Sequence, residues 1–276
     1  MFTISIDPVA FTIGALQVRW YSIIISAAVA LLLVVMLRET KRLSIQRDIY
    51  GIFLWGVVGG LVGARLAFVI YDWEHFVANP RDIIGLQGLA QNGMIAGVFV
   101  AGLLYMRVTR MSFSTLLSLG DALAVGAPLA LAVGRIGCLL NGCCYGAPAP
   151  DLAWAIVYTH PNSLAPLNTP VHPTQLYHLL WGLIVFAVVW RLRGKLKPEG
   201  SLVFFFICLF AIGDFAVRFF RTDEPVLWGL RQAQVLDLGA LAIHLPWLTI
   251  RMRRFKKQAL VTEPVNEAEP VQNQEG

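Results

Sequence analysis

Residues 134 to 146 read Gly134-Arg135-Ile136-Gly137-Cys138-Leu139-Leu140-Asn141-Gly142-Cys143-Cys144-Tyr145-Gly146, setting an arginine, an asparagine and three thiols at the end of a long apolar run. An arginine there is costly unless an anion meets it, and a planar guanidinium suits two-point recognition of a phosphate or carboxylate. The glycines Gly134, Gly137, Gly142 and Gly146 are expected to let the backbone approach a ligand closely. Beside lipid, the natural anion is a headgroup phosphate. The thiols admit a second chemistry: Cys138, Cys143 and Cys144, with His172 or His178, could hold a metal or form a redox centre. No C-x-x-C pair occurs and Cys143 adjoins Cys144, so the spacing speaks against a metal set and favours a disulfide or plain packing. Cys208 reads as filler between helices.

The elements that must carry these residues follow from composition. Of 276 residues 57% are hydrophobic and only 14% charged, too apolar for an ordinary soluble domain of this length. Seven apolar runs stand out, at 20–37, 50–71, 92–106, 113–133, 175–190, 201–220 and 232–250. Each is near the ~20 residues a spanning helix needs, the third being the shortest. Asp7 and Pro8 interrupt the start of the chain, so no cleavable leader is expected. Trp20, Trp73, Trp181, Trp190, Trp228 and Trp247 read as interfacial belt residues.

Basic residues orient the spans. Arg38, Lys41, Arg42 and Arg47 follow the first run, Arg107 and Arg110 the third, Arg191, Arg193, Lys195 and Lys197 the fifth, and Arg251, Arg253, Arg254, Lys256 and Lys257 the last. These segments include every lysine, so the positive-inside rule makes them cytoplasmic, with the N-terminus and the connection 147–174 outside. The remaining basic residues, Arg19, Arg65, Arg81, Arg135, Arg218, Arg221 and Arg231, are all arginines, which hints at an outward-facing anion site or at interfacial anchoring. Six of the fourteen prolines fall between Pro148 and Pro173, predicting a structured external loop or lid. One membrane domain is expected over 1–258. Residues 259–276 carry four glutamates and no basic residue, and read as a disordered acidic tail.

The segment 134–146 resembles the signature of the bacterial prolipoprotein diacylglyceryl transferases, whose usual form is close to GRxGNFxNGExxG. Further stretches agree in order and spacing: Asp7-Pro8-Val9 through Val18-Arg19-Trp20-Tyr21, Gly63-Ala64-Arg65-Leu66, His172-Pro173-Thr174-Gln175-Leu176-Tyr177, and Phe219-Phe220-Arg221 with Gln234. The resemblance runs from residue 7 to about 250. It implies an all-α protein of seven transmembrane helices, N-terminus outside and C-terminus cytoplasmic, in the bacterial inner membrane. The implied reaction moves the diacylglyceryl group of phosphatidylglycerol to the lipobox cysteine of a secreted prolipoprotein. A thioether and glycerol phosphate result. No metal, nucleotide or nucleic acid is implied, and a monomer is expected.

By the same resemblance Arg135 clamps the phosphate, Tyr21 contacts substrate, and Arg221 and Gln234 line the headgroup cavity. Asn141, Gly142, Gly146 and Gln91 fall on the phospholipid side. The chain also departs from the pattern. Gln91 replaces a histidine considered for thiol activation, and glutamine cannot titrate near neutrality. Cys138 and Cys143 replace an asparagine and a glutamate of the signature, and His178 stands where a glutamate is usual. In the sixth run, a pattern of tyrosine, arginine and glutamate at four-residue spacing reads Phe210, Asp214 and Arg218. Residues four apart share a helix face, so an Asp214 to Arg218 bridge keeps the pair with reversed sense. Arg218 then serves phosphate or structure. The thiol's proton could go to His178, Asp214 or a substrate phosphate oxygen.

Two other classes compete: a relative acting on another acceptor or only binding anionic phospholipid, and a transporter lined by Arg65, Asp121, Arg135, Asp214 and Arg218. A transporter tends to repeat its broken helices in two halves, whereas the glycine-rich interruption occurs once here.

Overall fold

Each apolar run is helical in the computed structural model, which describes residues 1–14, 16–84 and 90–262. The long helices are α1 (Trp20–Arg42), α2 (Ile49–Tyr71), α4 (Gln91–Val108), α5 (Phe113–Asn141), α6 (Thr174–Leu192), α7 (Ser201–Arg218) and α8 (Gln232–Thr262), with a short α3 (Trp73–Ala78) after α2. Among the described residues six are long and apolar enough to cross a membrane, and Asn92–Val108 is a shorter apolar helix. Large apolar side chains such as Leu54, Ile70, Phe99 and Ile243 stay exposed, as lipid solvation permits. The tail expected from residue 259 begins as helix, since α8 continues to Thr262, and 263–276 lie outside the described residues.

Local chemistry sets the helix ends. Asp48 accepts from the Gly51 amide at the start of α2, and Ser112 accepts from the Thr115 amide at the start of α5. Gly200 opens α7 with no side-chain cap of its own. Half-buried Asp121 of α5 supplies one instead, accepting from the Gly200 and Val203 amides at 2.7 and 2.9 Å. Such a bond satisfies orphan N–H groups that lipid would leave bare.

The long α5 lies against α1, α6 and α7, with Val35, Val125, Val185, Val189 and Leu202 buried between them. Beside it, α2 and α4 form a second close pair. Gly59 and Gly63 of α2 meet Gly93 and Gly97 of α4 so closely that a Cβ at Gly63 or Gly97 would overlap the facing backbone. Two small-xxx-small stripes thus interlock, the usual route to close helix contact in lipid.

Among the described residues, three two-stranded sheets trim one end of the bundle. β1 (Phe2–Ile4) runs parallel to β4 (Ile156–Tyr158), β2 (Val9–Ile13) pairs antiparallel with β3 (Leu16–Arg19), and β5 (Pro225–Leu227) pairs with β6 (Leu230–Arg231). The proline-rich connection 147–174 has its own small core of Ile156, Tyr158, Ala165 and Val171. The Tyr158 hydroxyl donates to the Leu139 carbonyl at 3.1 Å, seating this cap on the end of α5.

Candidate active site

Five elements converge under the cap: the starts of α1, α6 and α8 and the ends of α5 and α7. Gly134 and Gly137 differ from their expected role. Both sit inside α5 against α1, where a Cβ would meet Ile25 at 3.2 Å or the Tyr21 backbone at 3.4 Å, so they set helix spacing and do not open backbone to a ligand. Gly142 ends α5 in the left-handed region at φ 72°, the common helix C-terminal turn. Gly146 is packed under Phe220 and His172, and its amide donates to the His172 carbonyl at 2.9 Å. The signature glycines are therefore packing and turn residues.

Arg135 projects from α5 into an apolar cavity it shares with Leu131, His178, Trp181 and Phe210. Among the described residues it has no ion pair and no hydrogen bond. A half-buried guanidinium in apolar walls, with no carboxylate bonded to it, favours an anionic ligand. Trp181, expected at the interface, is a wall of this cavity. Its indole donates to the Leu209 carbonyl at 3.0 Å and fills the space that Gly213 leaves.

The other arginines expected at the headgroup are held by the protein. Arg218 bonds Asp214 at 3.0 Å, as the four-residue spacing predicts, and also Asp223 at 3.2 Å. Arg221 shares Asp223 at 3.2 Å. Arg231 donates to the carbonyls of Asp223 and Arg221, and Arg19 donates to Asn141 Oδ1 at 3.0 Å. Asp223 organises this cluster and went unnoticed in the sequence, where a carboxylate in a polar turn is unremarked.

His178 closes the chain of charges. Its Nε2 lies 2.7 Å from Asp214 Oδ1 and its Nδ1 lies 2.9 Å from the Thr174 carbonyl. Both ring nitrogens are thus engaged by groups of the protein. A buried ring held this way turns neither nitrogen toward a substrate thiol. Gln234, expected to line the headgroup cavity, is instead fully enclosed. Its Oε1 accepts from the Arg231 amide and its Nε2 donates to the Phe215 carbonyl, which fixes α8 to α7. Asn141 is buried, its side-chain oxygen taken by Arg19. Tyr21 is half-buried at the start of α1, within electrostatic range of Arg135 and the thiols. Gln91 opens α4, and its side chain lies outside the described residues.

The tertiary structure overrides the spacing argument at the cysteines. All are free thiols, and the sulfurs of Cys138, Cys143 and Cys144 lie within 4.8 Å of one another. The Gly142 turn folds the chain back so that the Cys143 amide donates to the Cys138 carbonyl at 3.1 Å. Hydrogen bonds from Cys138 and Cys143, assisted by Arg135 and Arg221, hold the Cys144 thiol well below its ordinary range. Hydrogen bonding to Cys138 and Cys144, with burial, pushes Cys143 far above it. Neither histidine joins the set: His178 faces Asp214, and His172 hydrogen-bonds with the Tyr177 hydroxyl at 3.2 Å.

Fold and site together define a multi-pass helical membrane protein with an arginine facing an apolar cavity between α5, α6 and α7. The chain belongs to the prolipoprotein diacylglyceryl transferase family, whose model matches residues 8–250. A phosphatidylglycerol–prolipoprotein diacylglyceryl transferase of Dehalococcoides mccartyi is 36% identical over 259 residues, covering 93% of this chain and 98% of that protein. Proteins of the same name from Clostridioides difficile and Rhodospirillum rubrum are 33% and 32% identical over 245 and 251 residues. These cover 86% and 85% of this chain, and 94% and 88% of those proteins.

Proposed function

We propose that this protein transfers the diacylglyceryl group of phosphatidylglycerol to the lipobox cysteine of prolipoproteins, in the bacterial inner membrane and as a monomer. The observation that carries the reading is Arg135, which faces the cavity open to an anion, with no carboxylate bonded to it among the described residues. The donor phosphate supplies that anion. As the carbon–oxygen bond breaks, negative charge grows on the leaving phosphate, where a preorganised cation in a water-poor cavity acts most strongly. Arg218, His178 and Gln234 then act as positioning residues. The Asp214 and Asp223 pairs keep Arg218 and Arg221 from competing for the headgroup, and Gln234 holds α8 against α7.

Seven crossings, with the N-terminus outside and the C-terminus in the cytoplasm, are part of the reading. Arg19 at the start of α1 bonds Asn141 at the end of α5, so these ends lie on one side. With α1 and α2 crossing in turn, α5 begins on the opposite side from the end of α2. Among the described residues on that route α4 is the long helix, and its 18 residues reach roughly 27 Å at helical rise, near the hydrocarbon thickness.

The test is purified protein with phosphatidylglycerol and a lipobox peptide, read as mass gained on the peptide cysteine. We expect product, and a loss of about 10²- to 10³-fold or more in Arg135→Ala, the scale of removing a donor aimed at developing charge. Intact lipid binding without product would redirect the reading to another acceptor.

A further inference from the structure

We propose that Cys138, Cys143 and Cys144 form a zinc site whose fourth position takes the acceptor cysteine of the substrate. The inference rests on the transferase reading above and names how that site handles its thiol. Three sulfurs within 4.8 Å of one another are a short adjustment from the roughly 3.8 Å that Zn–S bonds of about 2.3 Å impose in a tetrahedron. The surrounding contacts hold that convergence. On either side of the fold-back, the Gln175 amide donates to the Cys143 carbonyl at 2.7 Å and the Thr174 hydroxyl to the Cys144 carbonyl at 2.6 Å. Both donors are buried, and Cys144 itself takes φ 58°, a conformation L side chains rarely adopt. Anchoring of this kind orients metal ligands. Three thiolates on Zn²⁺ leave a net negative group, which Arg135 and Arg221 flank.

Three protein ligands with an open fourth position is the catalytic arrangement of zinc, and a thiol that coordinates there is deprotonated. The acceptor thiol would bind as thiolate, releasing its proton to solvent or phosphate. Its sulfur lone pair forms the carbon–sulfur bond to the glyceryl carbon. The carbon–oxygen bond breaks, and its electron pair leaves on the phosphate oxygen of glycerol phosphate. No electron is gained or lost overall. This answers the question His178 leaves open, since both nitrogens of that ring face acceptors.

The experiment uses full-length protein in detergent, reduced, stripped with chelator and titrated with Zn²⁺ or Co²⁺. About one metal per chain is expected, with thiolate-to-cobalt charge-transfer absorption. Cys138→Ser, Cys143→Ser and Cys144→Ser should each weaken binding about tenfold or more, and Cys208→Ser should leave it unchanged. A lipobox peptide should shift the cobalt spectrum, while its cysteine-to-serine analogue should not. Failure to take up metal in the reduced protein, a disulfide that re-forms at once on removing reductant, or a cobalt spectrum indifferent to the thiol would overturn the proposal. Full transfer by chelated protein would also overturn it while leaving the transferase reading intact. Metal and thiol binding with no transfer from phosphatidylglycerol would support the metal site and overturn the transferase reading.

Discussion

Arginine and histidine side chains in this protein are sorted by their partners. Arg19, Arg218, Arg221 and Arg231 each end on a protein acceptor, whereas Arg135 faces a cavity. The sequence marks Arg135 because a guanidinium so deep in an apolar run demands an anion, but it cannot tell a clamp from a structural pair for Arg218. That distinction needed Asp223, which follows the end of α7. Gly142 carries a separate cost. Its φ of 72° and the nearby Ser163 hydroxyl and Ala165 amide exclude a Cβ. Gly142→Ala should destabilise the protein by at least about 1–2 kcal/mol, the penalty of the left-handed region, before any overlap is counted. Thermal unfolding in detergent checks this. Adding Ser163→Ala should recover the hydroxyl's share of the overlap and leave the backbone part.

Helix pairs and the cap respond to different forces. The α2 and α4 pair depends on glycine stripes at Gly59, Gly63, Gly93 and Gly97, a pattern legible as two G-x-x-x-G repeats though the hydropathy reading passed over it. Gly97→Leu should push these helices apart. A cysteine pair engineered across the unmodified contact should crosslink readily, and should lose crosslinking in the Gly97→Leu background. The N-terminal strands dock on the cap partly through Asp7, which accepts from the Val9 amide and from Asn162. Those bonds hold its carboxyl below the ordinary aspartate range, the Val9 amide contributing most. A carboxylate lowered on folding stabilises above its unfolded value, and that contribution is lost as pH falls through the lowered folded value. Hydrogen exchange of the Val9 amide should therefore be slowest above about pH 4, after correction for intrinsic rate, and lose protection in more acidic solution. Asp7→Ala should lack that protection across the range. Unchanged protection across the range would refute the linkage.

For the bundle taken together, the basic residues make an orientation forecast. A fluorescent protein fused after Gly276 should fold and fluoresce in the cytoplasm, and a tag before Met1 should be cut by protease added to intact spheroplasts. Protection of the tag would reverse the assigned sides. The same forecast places the cap 147–174, the thiol triad and Arg135 on the face that meets exported prolipoproteins, while Glu39, bonded to Arg42 and Arg193 at 2.7 and 3.1 Å, tightens the opposite face.

Transfer free energies belong to individual residues and add along the chain. For that reason the apolar runs, the charge asymmetry, the family signature and the importance of Arg135 could all be read from sequence. Ion-pair partners and sulfur separations belong to pairs, and their energies depend on distances set by how helices far apart in sequence pack. Only that packing decided that Arg218 is pinned, that Gln234 is sealed away, that both nitrogens of His178 are spoken for, and that three unpromisingly spaced cysteines meet.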